Sequence, residues 1–201
     1  MATAAPFGLR QNRNLIGSAE NFQGNYYRIK KGYASAIGFG DAVITLTSTN
    51  QGYIGPYANG GSHILGVLVG LLPYYDTVLQ QVVNKSWYAG TENPSDDIIA
   101  QVIDDPNQTF LIQSNGGPYT EAARGQNADI VNNGSPNTFG ASIAALDYAN
   151  IGTTALPLRI VGPGTLSYGG ADPTIKSSLQ GTYGLIEVAL NTTEYRNTTG
   201  I

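Results

Sequence analysis

The chain has no cysteine, one histidine and one tryptophan among 201 residues, and only 12% of it is charged. Without cysteine there are no disulfides, thiolate metal centres or cysteine nucleophiles, so packing and hydrogen bonds must hold the fold. A lone histidine, His63 in "GGSHIL", excludes a metal site built from several imidazoles. No Ser or Cys stands in a nucleophile motif beside it, so it reads as a turn residue entering a strand rather than as a base. The ten Lys and Arg are scattered, densest at Arg28, Lys30 and Lys31, and the net charge is -4. No basic stripe tracks a phosphate backbone, so no nucleic acid is expected as a partner. Long apolar runs are also missing. The longest, Ile64 to Leu72, contains Gly66 and Gly70 and ends at Pro73, well short of the roughly 20 residues that cross a bilayer as a helix. No membrane partner is expected. The opening "MATAAPFGLRQNRN" has neither a basic n-region nor an apolar h-region, which points to a chain kept in the cytoplasm until assembly.

What is present is β-type. "YYRIK" (26 to 30), "AVITLT" (42 to 47), "IIAQVID" (98 to 104), "TFLIQ" (109 to 113), "PLRIVG" (157 to 162) and "TYGLIEVAL" (182 to 190) are short, β-branched or aromatic, and bounded by turn residues. The run at 64 to 72 predicts a central strand buried on both faces, since its Ile and Val favour a strand and its glycines disfavour a helix. Thr120 to Arg124 and 141 to 149 are the only stretches with helical character, and Ile143, Ala145 and Asp147 fit a strand equally well. Gly at 26 positions and Pro at 10 supply the turns. "GFG" (38 to 40) precedes a strand rather than following one, the wrong order for a phosphate loop. The fold class this predicts is all-β: a single barrel or sandwich, jelly-roll-like, over residues 26 to 201.

Residues 1 to 25 lack periodicity but carry Phe7, Leu9, Leu15, Ile16 and Phe22 among Asn and Gln, with Arg10 between them. A tail without a role has no use for five large apolar side chains, so the expectation is an extended arm that orders on a neighbouring subunit. Deleting residues 2 to 22 of this arm should leave the domain folded.

Candidate chemistry is thin. Asp96 and Asp97 precede the strand "IIAQVI", and Asp104 and Asp105 follow it. Two carboxylates flanking a strand suit glycoside hydrolysis or calcium, but Asp beside Pro and Asn is ordinary turn chemistry. Neither a catalytic residue, a cofactor nor a metal is expected. Thirteen tyrosines form the other biased set. Tyr53, Tyr57, Tyr74, Tyr75, Trp87 and Tyr88 gather around the apolar run, where they suit a sugar-stacking platform, a protein interface or barrel rims.

The blocks "MATAAPFGLR", "GYASAIGFGDAVITLTS", "ILGVLVG", "WYAGT", "AQVIDDPNQTFLIQ", "LRIVG" and "IEVALNTTEY", in this order, resemble the cement or decoration proteins of tailed-bacteriophage heads, particularly of short-tailed phages. That resemblance implies an all-β virion protein without enzymatic activity. It would bind the outer surface of an icosahedral head, bridge major capsid proteins and associate with itself as a dimer or trimer. Phe7, Leu9, Arg10, Leu15, Ile16, Phe22, Tyr53 and Tyr57 are then the candidate contacts with capsid or subunit. The segment from Gly116 to Gly140 fits none of these blocks and reads as a variable outward loop. The alternative function is a carbohydrate-binding β module, with Trp87 and nearby Tyr as its platform.

Overall fold

The computed structural model describes residues 4–15, 24–61, 63–164 and 181–196. In chain order its strands are β1 (Arg10–Asn14), β2 (Asn25–Ile29), β3 (Ala42–Thr45), β4 (Ile54–Pro56), β5 (Gly66–Leu71), β6 (Tyr74–Asp76), β7 (Gln81–Val83), β8 (Ile98–Ile103), β9 (Gln108–Asn115), β10 (Asn127–Val131), β11 (Ala145–Gly152), β12 (Leu158–Pro163) and β13 (Leu185–Leu190). Helical structure among the described residues is limited to single 3-10 turns at Ser48–Asn50, Glu121–Ala123 and Glu194–Arg196. The expected strands all form, and the ambiguous 141 to 149 stretch resolves as the start of β11.

Five strands close on themselves in the order β9, β11, β10, β12, β13, with β13 pairing back to β9. Only the short β9–β11 pairing is parallel. Closure leaves these strands no free edge to aggregate through. A second, antiparallel sheet runs β2, β8, β5, β3, β4, and β6 and β7 form a separate hairpin. The fold class is therefore all-β, a closed barrel with a second sheet packed on it.

Two apolar clusters hold these parts together. The first fills the barrel with Phe110, Ile112, Ile130, Leu146, Ile160 and Val188 and continues to Ala42, Val67 and Ile103 of the second sheet. The second cluster, with Val43, Leu68, Ala100 and Val102, lies on the opposite face of that sheet. Strand β5 thus sends Val67 to one core and Leu68 to the other, and it is hydrogen-bonded to β3 and β8. This is why it reads as an unbroken apolar run: both faces of the strand are interior, so no polar alternation is required.

Two expectations change. The segment from Gly116 to Gly140 is not simply an outward loop, because it contains β10, whose Ala128 and Ile130 are fully buried in the barrel. Its short A-x-I alternation is flanked by Asn and Gly, and that turn-rich context hides a five-residue strand. The N-terminal segment, described over residues 4–15, does not leave the domain as an arm. Leu9 is 2% exposed within the first core, and β1 pairs antiparallel with β9. The reason lies on β9, whose side chains reach towards this strap. The Ala5 N–H donates to Gln113 Oε1 (2.8 Å), the Arg13 N–H to Thr109 Oγ1 (3.2 Å), and Gln108 Nε2 to the Arg13 carbonyl (3.1 Å). Buried polar groups need partners, and residues 5 to 13 supply them. Ile16 and Phe22 lie outside the described residues.

Candidate functional site

The carboxylates act first as structural pins. Asp41 is fully buried in the turn before β3. Its Oδ2 accepts the N–H groups of Gly38 (2.6 Å) and Gly134 (3.2 Å), and its Oδ1 accepts the Ser142 hydroxyl. One side chain therefore joins the 38–41 turn, the loop after β10 and the segment before β11. Burial pushes the Asp41 carboxyl up from its ordinary range, while the hydrogen bonds from Ser142, Gly38 and Gly134 oppose that shift. The N-terminal strap docks on the same turn: the Leu9 N–H donates to the Gly40 carbonyl (2.8 Å) and the Gly8 N–H to the Ala144 carbonyl (3.1 Å).

Asp129 is pinned in a similar way. It accepts the Tyr57 hydroxyl (2.6 Å) and the Gly60 N–H (2.7 Å). Tyr57, expected as a capsid contact, is 2% exposed, so it belongs to the core. Burial first, then the bond to Asp129, raises its phenol above the usual range. Tyr53 is half-buried and donates to Asp97 Oδ2 (3.1 Å). Arg10 lies over the rings of Phe39 (4.5 Å) and Phe7 (5.9 Å), covering the base of the strap, and Leu15 is the exposed member of this group at 46%. The expected contact set is therefore split between core, strap and surface.

The paired carboxylates do not form a catalytic couple. Asp97 and Asp104 stand at opposite ends of β8, seven positions apart along an extended chain, which separates them by roughly 23 Å. Two glycosidase carboxyls need about 5 to 9.5 Å. Each has other work: Asp97 accepts the Lys31 N–H (3.0 Å), Asp104 accepts Asn25 Nδ2 (2.9 Å) and the Tyr27 hydroxyl, and Asp105 accepts Asn14 Nδ2 (3.0 Å). Among the described residues, no group of three or more His, Cys, Asp or Glu is arranged to hold a metal ion. His63 is half-buried where the chain enters β5.

The Tyr and Trp cluster is likewise mostly interior. Tyr88 is fully buried, and burial raises its phenol to about 12. Trp87 is half-buried, and its indole lies where a side chain on Gly140 would stand: an added Cβ would come within 2.0 Å of the ring. The indole is seated on backbone, with Lys85 Nζ 5.6 Å from it. Trp87 does not present a free flat platform for a sugar.

What remains on the surface is unusual in kind. Among the described residues six of twelve Asp and Glu are buried: Asp41, Asp76, Glu92, Asp104, Asp129 and Glu187. A sequence already poor in charge thus turns much of that charge inward. Ten large apolar side chains are exposed among the described residues, Phe139 (89%), Val78 (70%), Val82 (67%), Tyr195 (63%) and Tyr26 (62%) most of all. Val78, Leu79 and Val82, around the β6–β7 hairpin, were not singled out from sequence. Their signal was legible in "YYDTVLQQVV", an apolar stretch with one charge, and Asp76 turns that charge inward to accept the Val78 and Leu79 N–H groups, each at 2.9 Å. Those bonds, led by that from Leu79, hold the Asp76 carboxyl below the usual range.

The chain matches no protein-family model, no curated protein and no solved structure.

Proposed function

We propose that this protein is a non-enzymatic structural protein of a virion, one that binds the outer surface of an icosahedral phage head, bridges major capsid proteins and associates with itself. One observation carries the reading: a rigid closed barrel whose carboxylates are used internally and whose surface exposes ten large apolar side chains among the described residues. Soluble proteins that act on small molecules concentrate their apolar surface in a concave site. Here six of the ten lie on the β6–β7 hairpin and beside it at Leu72 and Ile99, and the rest are dispersed, a distribution suited to wide contact with other proteins. Two shallow clefts lie open beside β8, one reaching Arg28 and Lys31 and the other Leu72 and Tyr75. The ordered sequence blocks that resemble head cement proteins give the partner.

The purified chain, mixed with phage heads assembled from a cognate major capsid protein, should co-sediment at a fixed number of copies per capsomer and raise the temperature at which heads rupture. Absence of co-sedimentation at micromolar protein would refute the reading. The glycan-binding alternative has one feature in its support: two adjoining clefts that share Asp96, Asp97 and Ile99, one reaching Arg28 and the other Tyr75. Binding of neutral oligosaccharides that is lost in Tyr75→Ala, with no binding to heads, would decide for it.

A further inference from the structure

We infer that the outer edge of β7 is a self-association edge, where two copies of this chain pair antiparallel about a two-fold axis at Val82. Strand edges are normally blunted by charge, by Pro or by cover. The other edges among the described residues follow this rule: β1 carries Arg10 and Arg13, β2 carries Arg28, and β4 ends in Pro56. Strand β7, Gln81–Val83, has no such protection. It pairs with β6 on one side, while on its other side no backbone hydrogen bond within the described residues covers it. Its central side chain, Val82, is 67% exposed.

The surface around this edge is continuous. Tyr75 stands opposite Val82 across the hairpin, and Tyr75 shares a cleft with Leu72 and Ile99. Val78 (70% exposed) and Leu79 (59%) extend it to the hairpin tip. Six large apolar side chains in one stretch on a rigid support exceed what scattered surface residues produce.

The occupant is a second copy for two reasons. First, the geometry is self-complementary: pairing about Val82 sets Gln81 opposite the partner's Val83 and Val82 opposite its own equivalent, the isologous contact of a two-fold dimer. Second, the charge pattern fits. The edge itself carries no charge that would repel its own copy, since the carboxylate of Asp76 is folded back onto the turn. The border of the patch carries both signs, Arg28 and Lys31 beside Asp96 in the adjoining cleft, so two copies meet without a field of one sign to repel them. The inference specifies the self-association part of the proposed function and is tested without heads.

The absence of cysteine makes a direct test available. Val82→Cys gives the chain a single thiol, and directly opposed residues in an antiparallel pair stand about 4.5 to 5.5 Å apart at Cα, within disulfide reach. Mild oxidation should convert Val82→Cys to a covalent dimer at least about tenfold faster than Phe139→Cys, a still more exposed position (89%) outside this strand, because only the former is preassembled. In sedimentation equilibrium from about 1 to about 100 μM, the range a modest interface occupies, the wild type should show twice the 21.1 kDa chain mass. Val82→Lys, which sets two ammonium groups against each other, should raise the dissociation constant at least about 100-fold with an unchanged circular dichroism spectrum. A wild type that is monomeric throughout, equal cross-linking at 82 and 139, or a Val82→Lys variant that still dimerises would overturn the inference. A monomer that nevertheless binds heads would overturn it while leaving the head-binding part of the proposed function standing.

Discussion

Replacing Asp41 by Ala removes the acceptor of two backbone N–H groups and one hydroxyl, all in a fully buried turn. Ser142 can rotate its hydroxyl elsewhere, but the N–H groups of Gly38 and Gly134 cannot leave their positions. Each buried donor without a partner costs about 1 to 3 kcal/mol. Relief from holding a desolvated carboxylate offsets part of this, so a net loss of about 3 kcal/mol is expected. With a urea m-value of about 2 kcal/mol/M, the unfolding midpoint should fall by about 1.5 M. Asp41→Asn should cost less than half as much: its Oδ1 can take the place of the carboxylate oxygen facing both N–H groups, and its Nδ2 can donate to Ser142 Oγ. The pH dependence follows from the direction of the shift. Because the folded-state carboxyl of Asp41 is raised, lowering pH protonates the native form before the unfolded one, whose carboxyl titrates near 3.9. The Asp41 contribution to stability therefore rises as pH falls from neutrality through the folded pKa and levels off below the unfolded one. Carboxyls held low, such as those of Asp76 and Glu121, act oppositely, so the readable quantity is the difference between wild type and Asp41→Asn in urea titrations at several pH values. Wild type should gain on Asp41→Asn with acidification. A midpoint for Asp41→Ala within about 0.3 M of wild type, or a wild-type advantage that shrinks on acidification, would refute the reasoning.

Deleting residues 2 to 14 should prevent stable folding, since it withdraws Leu9 from the core and uncovers the polar side chains of β9. A cooperative thermal transition in the truncated chain would contradict this. Gly8→Ala places a Cβ 2.5 Å from Ser142 Cβ and 2.6 Å from the Gly40 carbonyl at φ +74, which should cost about 2 to 4 kcal/mol in urea denaturation and expose the strap to proteolysis. Gly140→Ala must displace the indole of Trp87, the single tryptophan, so its fluorescence should shift to the red; an unchanged spectrum would place the indole elsewhere. Glu187→Ala breaks the two-point bond from Arg13, at 2.7 and 3.0 Å. Since Arg13 is 58% exposed, the expected loss is only about 1 kcal/mol and should shrink in high salt.

The sequence made legible those strands whose own residues state where they go. In β5, β8, β9 and β13, β-branched and aromatic side chains face an interior, and the hydrophobic pattern is the fold written locally. Strands that form because of a partner could not be read in this way. The stretch Arg10–Asn14, "RQNRN", has no β-propensity and no alternation, yet it is a strand because Gln108 and Thr109 on β9 require polar partners. The apolar residues beside it were correctly seen to need burial, but their spacing does not say whether a neighbour or the same chain provides it. The same ambiguity governed tyrosine. Tyr57 and Tyr75 each stand one or two positions after a proline and look alike in sequence, but Asp129, 72 positions away, draws the first inside, while the second stays exposed. Burial by a distant polar partner leaves no periodic trace, whereas exposure on an uncharged hairpin does. For that reason the surface most informative about assembly, Val78 to Val82, was recoverable from its missing charges more readily than from any residue it contains.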